Sequence, residues 1–236
     1  MLNDNDSKGH LHPLSQTMDD IVSIFDKMGF GVTLGPEIET EYNNFDSLNV
    51  HKDHPSRDMQ DTFWLKKNPL GDLLRTQISA LQVPYMKANT PPFMVVSPGK
   101  VYRNEATDMT HEAHYHYVEG IAVGKRGDIS LANLKGTLEE FLRNLFGQDV
   151  EFRFRPGYFP FVEPGVEVDM NRGDKWLEIL GAGMIHPIVL KNGGIDPNIY
   201  SGFAFGMGAD RITMLRYGIP DVRMFYQGDL RFVNQF

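Results

Sequence analysis

Cysteine is absent from the 236 residues, which excludes disulfides, thiolate catalysis and Cys-ligated zinc and leaves the redox compartment open. No apolar run approaches the roughly 18 residues that a membrane span needs. The N-terminal MLNDNDSKGH lacks the hydrophobic stretch of a secretory signal, so a cytoplasmic protein with no membrane partner is expected. Basic charge is also scarce: 23 Lys and Arg stand against 31 Asp and Glu, a net charge of −8. That argues against a general nucleic-acid binder, which needs a basic surface to displace counterions, but it leaves room for a basic cleft. No internal repeat or low-complexity block interrupts the chain. What is present is ordinary for a globular domain: 41% apolar and 23% charged residues, and enough length for one full core.

Periodicity predicts a helix over residues 15–29, with Met18, Ile21, Val22, Phe25 and Met28 recurring at helical spacing, Ser15 or Thr17 as cap and Gly29 as stop. A short strand over 30–34 should follow, then a second helix presenting Ile38, Tyr42 and Phe45. Residues 50–61 read as a loop, and 62–65 with 72–75 as paired strands. Another pair is expected at 93–105, broken near Pro98-Gly99, and 113–123, around the polar loop 106–112. The clearest helix covers 129–146, with Asp128 as cap, Gly147 as stop and a buried stripe of Leu131, Leu134, Leu138, Phe141, Leu142 and Leu145. A strictly alternating strand at 150–155 and a hairpin of 166–170 with 175–180 come next. Finally 203–207 enters a glycine-rich bend and a helix over 209–217. Strands that arrive as neighbouring hairpins favour an α+β architecture, an antiparallel sheet flanked by helices, over a doubly wound parallel sheet.

Two constellations carry chemistry. The first is Val101-Tyr-Arg-Asn-Glu105, a loop, and then His111-x-x-x-Tyr115-x-x-x-Glu119. On strands, Arg103 and Glu105 would share one face, Tyr115, Tyr117 and Glu119 would share a face of the returning strand, and the hairpin would offer them all above one surface. Such a hairpin offers a fork for phosphate oxygens, an acceptor for an amino group and a ring for stacking. A solvated hairpin of alternating charges explains the same spacing. The second constellation is Gly202-Phe-Ala-Phe-Gly206-Met-Gly208-Ala-Asp210-Arg211, running from strand into helix. Its glycines permit close approach of a ligand, and the helix start with Arg211 favours an anion. A plain strand–helix turn is equally compatible, and the stretch is not a P-loop, since it lacks the Gly-Lys-Ser/Thr ending.

Taken together, the R-x-E and H-x-x-x-Y-x-x-x-E hairpin, the G-x-G-x-D-R helix start and Gly35-Pro36 resemble the three signature motifs of class II aminoacyl-tRNA synthetases, in order and spacing. The segments His12-Pro13-Leu14, Asp58-Met-Gln-Asp-Thr-Phe-Trp64, Leu74-Arg-Thr76, Thr110-His-Glu-Ala113, Tyr158-Phe-Pro-Phe-Val-Glu-Pro164 and Gly181-Ala-Gly-Met-Ile-His-Pro187 resemble, more closely, bacterial phenylalanyl-tRNA synthetase alpha subunits. The resemblance runs from about His12 to the C-terminus. It implies a flexible tail over 1–11 and a catalytic domain over 12–236, without the family's N-terminal coiled-coil arm.

The resemblance further implies activation of L-phenylalanine by ATP and transfer of the amino acid to tRNA. Arg103 would hold the α-phosphate and Arg211 the γ-phosphate. Glu105 would read the adenine amino group, Tyr115 would stack on the ring, and His111 would lie near the pyrophosphate. Phe159 and Phe161 would pack edge-to-face on the substrate ring, although an F-P-F stretch is also ordinary core. Ala204 would form the pocket floor, with Gly206 beside it. Glu119 would bind the ammonium, with Ser79 and Trp64 nearby. Gln77 and Tyr117 border that site and depart from the family, which often has His and Gln there. Glu163 would hold Mg2+ jointly with a partner. The implied partner is the beta subunit, or a second copy through the Pro36 motif. A catalytically silent binding or regulatory module is the alternative, and retention of Arg103, Glu105, Arg211 and both pocket phenylalanines argues against it.

Overall fold

The computed structural model describes residues 9–57 and 61–236. Most of the expected tail over 1–11, and Asp58, Met59 and Gln60 of the motif ending at Trp64, lie outside the described residues.

The first helix, α1 (Pro13–Lys27), starts two residues before the predicted 15, and neither Ser15 nor Thr17 caps it. His12 is the cap: its Nδ1 accepts the Leu14 N–H at 3.2 Å, while Pro13 sets the helical φ of the first turn. Gly29 follows the helix at φ 88°, a conformation that favours glycine. Strand β1 is only Gly31–Val32. The expected second helix shrinks, because Ile38 lies in a strand, β2 (Ile38–Glu39), which pairs antiparallel with β3 (Leu73–Leu74). The helical part is one turn, α2 (Glu41–Asn44), capped by Thr40. The predicted pairing of 62–65 with 72–75 is present as a short antiparallel bridge between Trp64 and Leu73, with the Leu65 N–H donating to Asp72 (2.8 Å) and the Leu74 N–H to Phe63 (3.0 Å), while the other edge of Leu73 pairs with β2.

A 3-10 turn, Ile78–Leu81, leads into α3 (Gln82–Ala88), which the sequence reading did not anticipate. Strand β4 (Phe93–Tyr102) runs unbroken through Pro98 and Gly99, which pair with Val118 and Tyr117 of β5 (His114–Lys125). Gly99 is needed there for space: a Cβ would sit 2.3 Å from Nη2 of Arg75. That buried arginine donates to the carbonyls of Lys100 (2.8 Å), Gly35 (2.9 Å) and Pro36 (3.0 Å), so it locks the Gly35-Pro36 turn to β4. Helix α4 (Leu131–Phe146) is capped by Ser130 instead of Asp128, and Gly147 ends it at φ 101°. Leu131 is exposed at this first turn, while the rest of the predicted stripe is buried.

Strands β6 (Phe152–Phe159), β7 (Val162–Asn171) and β8 (Trp176–Ile185) form a meander. After it come α5 (Pro187–Asn192), β9 (Tyr200–Gly208) and α6 (Ala209–Tyr217). A 3-10 turn, Val222–Phe225, and α7 (Leu230–Val233) complete the chain. The main sheet has seven strands in the order β1-β4-β5-β9-β8-β7-β6, and every pairing is antiparallel except β1 with β4.

The two faces of this sheet are packed differently. On one, α1 and α4 cover the centre: Phe25 stacks on Phe141 (4.5 Å between centroids) and on Phe205 (4.9 Å), amid Ile21, Leu138, Val118 and Ala122. On the other, a second apolar cluster gathers Phe45, Leu48, Val83 and Val189 against Ile121, Val162 and Ala204. That cluster stops short along β5, and the functional cavity opens where it ends.

Candidate active site

Alternation along β5 sends Tyr115, Tyr117, Glu119 and Ile121 to the face away from α1 and α4. Opposite them on β9, Gly206 pairs with Glu119 and Ala204 with Ile121, and across β9 the β8 partners are Gly181 and Gly183. Val162 and Pro164 fill the space over Gly183, whereas Gly181, Ala204 and Gly206 line a hollow in the sheet surface. The result is a cavity of about 490 Å³. Phe159 and Phe161 wall it, their rings 6.0 Å apart at 26°, and Phe159 lies directly over Gly181, where a Cβ would come within 2.7 Å of its ring. Gly206 is constrained the same way by Tyr117, whose hydroxyl would be 2.6 Å from a Cβ.

At one end of the cavity Glu119 is buried with 6% exposure. Ser79 donates to it at 2.6 Å and Gln82 at 2.5 Å. Burial outweighs these donors and the distant charge of Arg75, and pushes the carboxyl up to about 7. A carboxylate held ready but incompletely compensated suits a cationic group entering the cavity. Gln82 is the main residue that sequence reasoning missed. Ser79 and Gln82, three apart, share a face only because the 3-10 turn runs on into α3, helices that the sequence reading did not anticipate. Asn44 was also missed: its side chain bonds Thr76 in both directions, at 2.9 and 3.1 Å, and its carbonyl accepts from Gln77 at 3.1 Å, which fixes Gln77 in the cavity wall.

At the mouth stand Arg103 and Glu105. They do not share a strand face, as the sequence suggested, because β4 ends at Tyr102; Arg103 keeps one ladder bond to Ala113 and Glu105 turns back onto the Arg103 carbonyl. The Arg103 guanidinium lies 5.4 Å over the Tyr115 ring. Burial raises the Tyr115 phenol to about 12; the positive charges of Arg103 and Arg211 oppose that rise, and the negative charges of Glu105 and Asp210 add to it. Tyr115 borders the cavity wall through Tyr117, edge-to-face at 6.2 Å, but does not line it. Arg211 also stands outside the lining, exposed, and donates to the Glu178 carbonyl at 3.1 Å.

Other predicted residues fall further out. His111 is exposed and held by Asp108 at 3.0 Å. Trp64 packs on Phe45 behind the cavity, at 6.3 Å. Glu163 is exposed beside Val162 of the wall, and among the described residues no group of three His, Cys, Asp or Glu side chains could hold a metal ion. Glu163 alone therefore does not make a magnesium site. Among the described residues no helix is long and apolar enough to cross a membrane.

This frame is that of a class II synthetase, and the family model for tRNA synthetases class II core domain (F) matches residues 1–236. Phenylalanine–tRNA ligase alpha subunits from Yersinia enterocolitica and Edwardsiella ictaluri are each 55% identical over 229 residues, covering 97% of this chain and 68% of theirs. The chain belongs to the phenylalanine–tRNA ligase alpha-subunit family. Pyrrolysyl-tRNA synthetase from Desulfitobacterium hafniense superposes with a TM-score of 0.73 at 18% identity, covering 94% of this chain and 76% of that one, and so shares the fold.

Proposed function

We propose that the chain activates L-phenylalanine with ATP, forming phenylalanyl-adenylate and pyrophosphate, and then passes phenylalanine to the 3′-terminal adenosine of its tRNA. The observation that carries this reading is a cavity that joins Arg103 and Glu105 at its mouth, a buried carboxylate at Glu119 and an aromatic wall at Phe159 and Phe161. The catalytic unit is the domain over 12–236, working in the cytoplasm with a beta subunit or a second copy docked through the Pro36 turn.

In the activation step a carboxylate oxygen of phenylalanine attacks the α-phosphorus, and the bond to pyrophosphate breaks. The nucleophile is already ionised, so no general base is required. Arg103 would hold the α-phosphate and oppose the charge that builds on it, and Arg211 would hold the γ-phosphate at the other end of a bent ATP. Glu105 would accept from the adenine amino group and Tyr115 would stack on its ring, with His111 toward the pyrophosphate. Glu119, kept in place by Ser79 and Gln82, would bind the substrate ammonium and so fix the carboxylate for attack. Gln77, Tyr117 and Trp64 would complete that end, and Phe159, Phe161, Ala204 and Gly206 would enclose the ring. In transfer, the ribose hydroxyl of tRNA would attack the acyl carbon and release AMP. Glu163 is the one carboxylate of this chain proposed to reach Mg2+, with the partner supplying the remaining ligands, and neither step above is assigned to the ion.

The test is phenylalanine-dependent exchange of pyrophosphate into ATP. Exchange is expected with phenylalanine and a beta subunit present. Its absence, with and without that subunit, overturns the proposal.

A further inference from the structure

The two arginines on which the proposed function rests sit on separate elements: Arg103 follows β4, and Arg211 opens α6. A short C-terminal segment touches both elements. The Val222 N–H donates to the Met109 carbonyl at 3.0 Å, holding the loop that leaves Arg103 and Glu105. Four residues later the Tyr226 hydroxyl donates to Oδ1 of Asp210, the neighbour of Arg211 in the first turn of α6. Between them lies one 3-10 turn, Val222–Phe225, capped by Asp221.

Asp210 is only 3% exposed, and each of its carboxylate oxygens is used. Oδ2 accepts the backbone N–H of His116 at 2.7 Å, and His116 lies between Tyr115 and Tyr117 on β5. Tyr226 is itself fixed by its ring, which stacks parallel to His116 (6.5 Å, 3°) and meets His114 edge-on (4.8 Å, 62°). α6 has no side-chain cap of its own at Gly208. The start of the helix that carries Arg211 is therefore referenced to β5 and to Tyr226 through one buried carboxylate.

We propose that Tyr226 is a positioning residue for ATP activation: through Asp210 it fixes the β9–α6 junction bearing Arg211, at a set distance from the loop that follows Arg103. The inference rests on the activation reading above. Its physical content is that a buried carboxylate oxygen stripped of its donor recovers one by shifting toward another, here the His116 Nδ1 that stands 3.6 Å from Oδ2, and that shift displaces the helix start. Two phosphate-gripping groups that must bracket one ligand lose affinity for it when their spacing loosens.

The test substitutes Tyr226→Phe, which keeps the ring contacts and removes only the hydroxyl. In pyrophosphate exchange by the chain with its beta subunit, KM for ATP should rise at least about fivefold while KM for phenylalanine stays within about twofold. A change of less than about twofold in KM for ATP, or an equal rise in both KM values, overturns the proposal. The second arm needs no activity. Hydrogen exchange at the His116 and Val222 amides should quicken by about tenfold in Tyr226→Phe, with the β6–β7 ladder unchanged. Unchanged protection at both amides also overturns it. If the unsubstituted protein shows no exchange of pyrophosphate, the activation reading fails, and the amide arm still decides whether Tyr226 holds the junction.

Discussion

Strand β5 presents two faces that solve opposite problems. Toward α1 and α4 its residues are Val118, Gly120 and Ala122, and the place of the missing Gly120 side chain is taken by Phe205, which a Cβ would meet at 2.1 Å. Toward the cavity its residues are Tyr115, Tyr117 and Glu119, and the glycine opposite, Gly206, is kept small by Tyr117. The first face removes apolar surface from water at little polar cost, the buried Thr17 hydroxyl of α1 being a small exception, so it stabilises the fold. The second keeps a buried carboxylate and an empty volume, both of which cost stability and both of which a ligand can use. One sheet thickness separates the two, so substitutions on either side should fail in different ways.

The sharpest way to break this contrast is to exchange the failures. Arg103→Ala and Arg211→Ala should each lower phenylalanine-dependent pyrophosphate exchange by about 100- to 1,000-fold, the usual cost of removing a group that stabilises transition-state charge. Neither should move the urea midpoint, because both side chains are exposed. Near-normal exchange in either variant would remove that arginine from the mechanism. Phe205→Ala should do the reverse. It empties the space over Gly120 and the stack with Phe25, and should lower unfolding free energy by about 3–5 kcal/mol in urea titration. Below the transition its KM values should be nearly unchanged. A selective loss of substrate affinity there would show that the two faces are coupled.

How much of this was legible follows the same division. The core face announces itself by period: the buried stripe of α4 and the alternation at the start of β6 reflect packing, which the sequence must encode locally. The cavity face was legible where backbone geometry demands glycine, in the run from Gly202 to Gly208, and where the resemblance supplied roles. It was illegible where a side chain answers to a distant partner. Arg103 and Glu105 read as strand neighbours because nothing local marks the end of β4 at Tyr102. Gln82 and Asn44 act across 37 and 32 residues respectively, on Glu119 and Thr76. The helix starts at His12 and His186 were hidden because histidine is an uncommon cap, although Pro13 and Pro187 each mark a first turn.

A second prediction sharpens the cost of the polar face. Only ionised Glu119 can bind an ammonium, and burial places its carboxyl near 7 in the unliganded protein. Affinity for phenylalanine is therefore present above that pH and lost as pH falls through it. KM for phenylalanine should rise about tenfold between pH 8 and pH 6, since the ionised fraction falls by that factor around a pKa of about 7. KM for ATP should change less. Exchange kinetics across that range would check it, with Glu119→Gln as the control that should lose the slope. A flat profile in the unsubstituted enzyme would mean that Glu119 is ionised throughout or does not contact the ammonium.

The smallest effect concerns Ala204, where the two faces are closest to alike. It is 3% exposed and belongs to the apolar cluster, yet it also lines the cavity beside Gly206. As core, its methyl group is worth little: Ala204→Gly should lower stability by about 0.5–1 kcal/mol, the ordinary penalty for glycine within a strand. As floor, the same methyl limits the length of the ring that fits. Removing it should improve activation of para-chlorophenylalanine relative to phenylalanine by roughly fivefold, about 1 kcal/mol, at the low end of what one methylene decides in an apolar pocket. Competition between the two amino acids in the exchange assay measures this ratio directly. An unchanged ratio together with the stability loss would assign Ala204 to the core alone and move the floor of the pocket elsewhere.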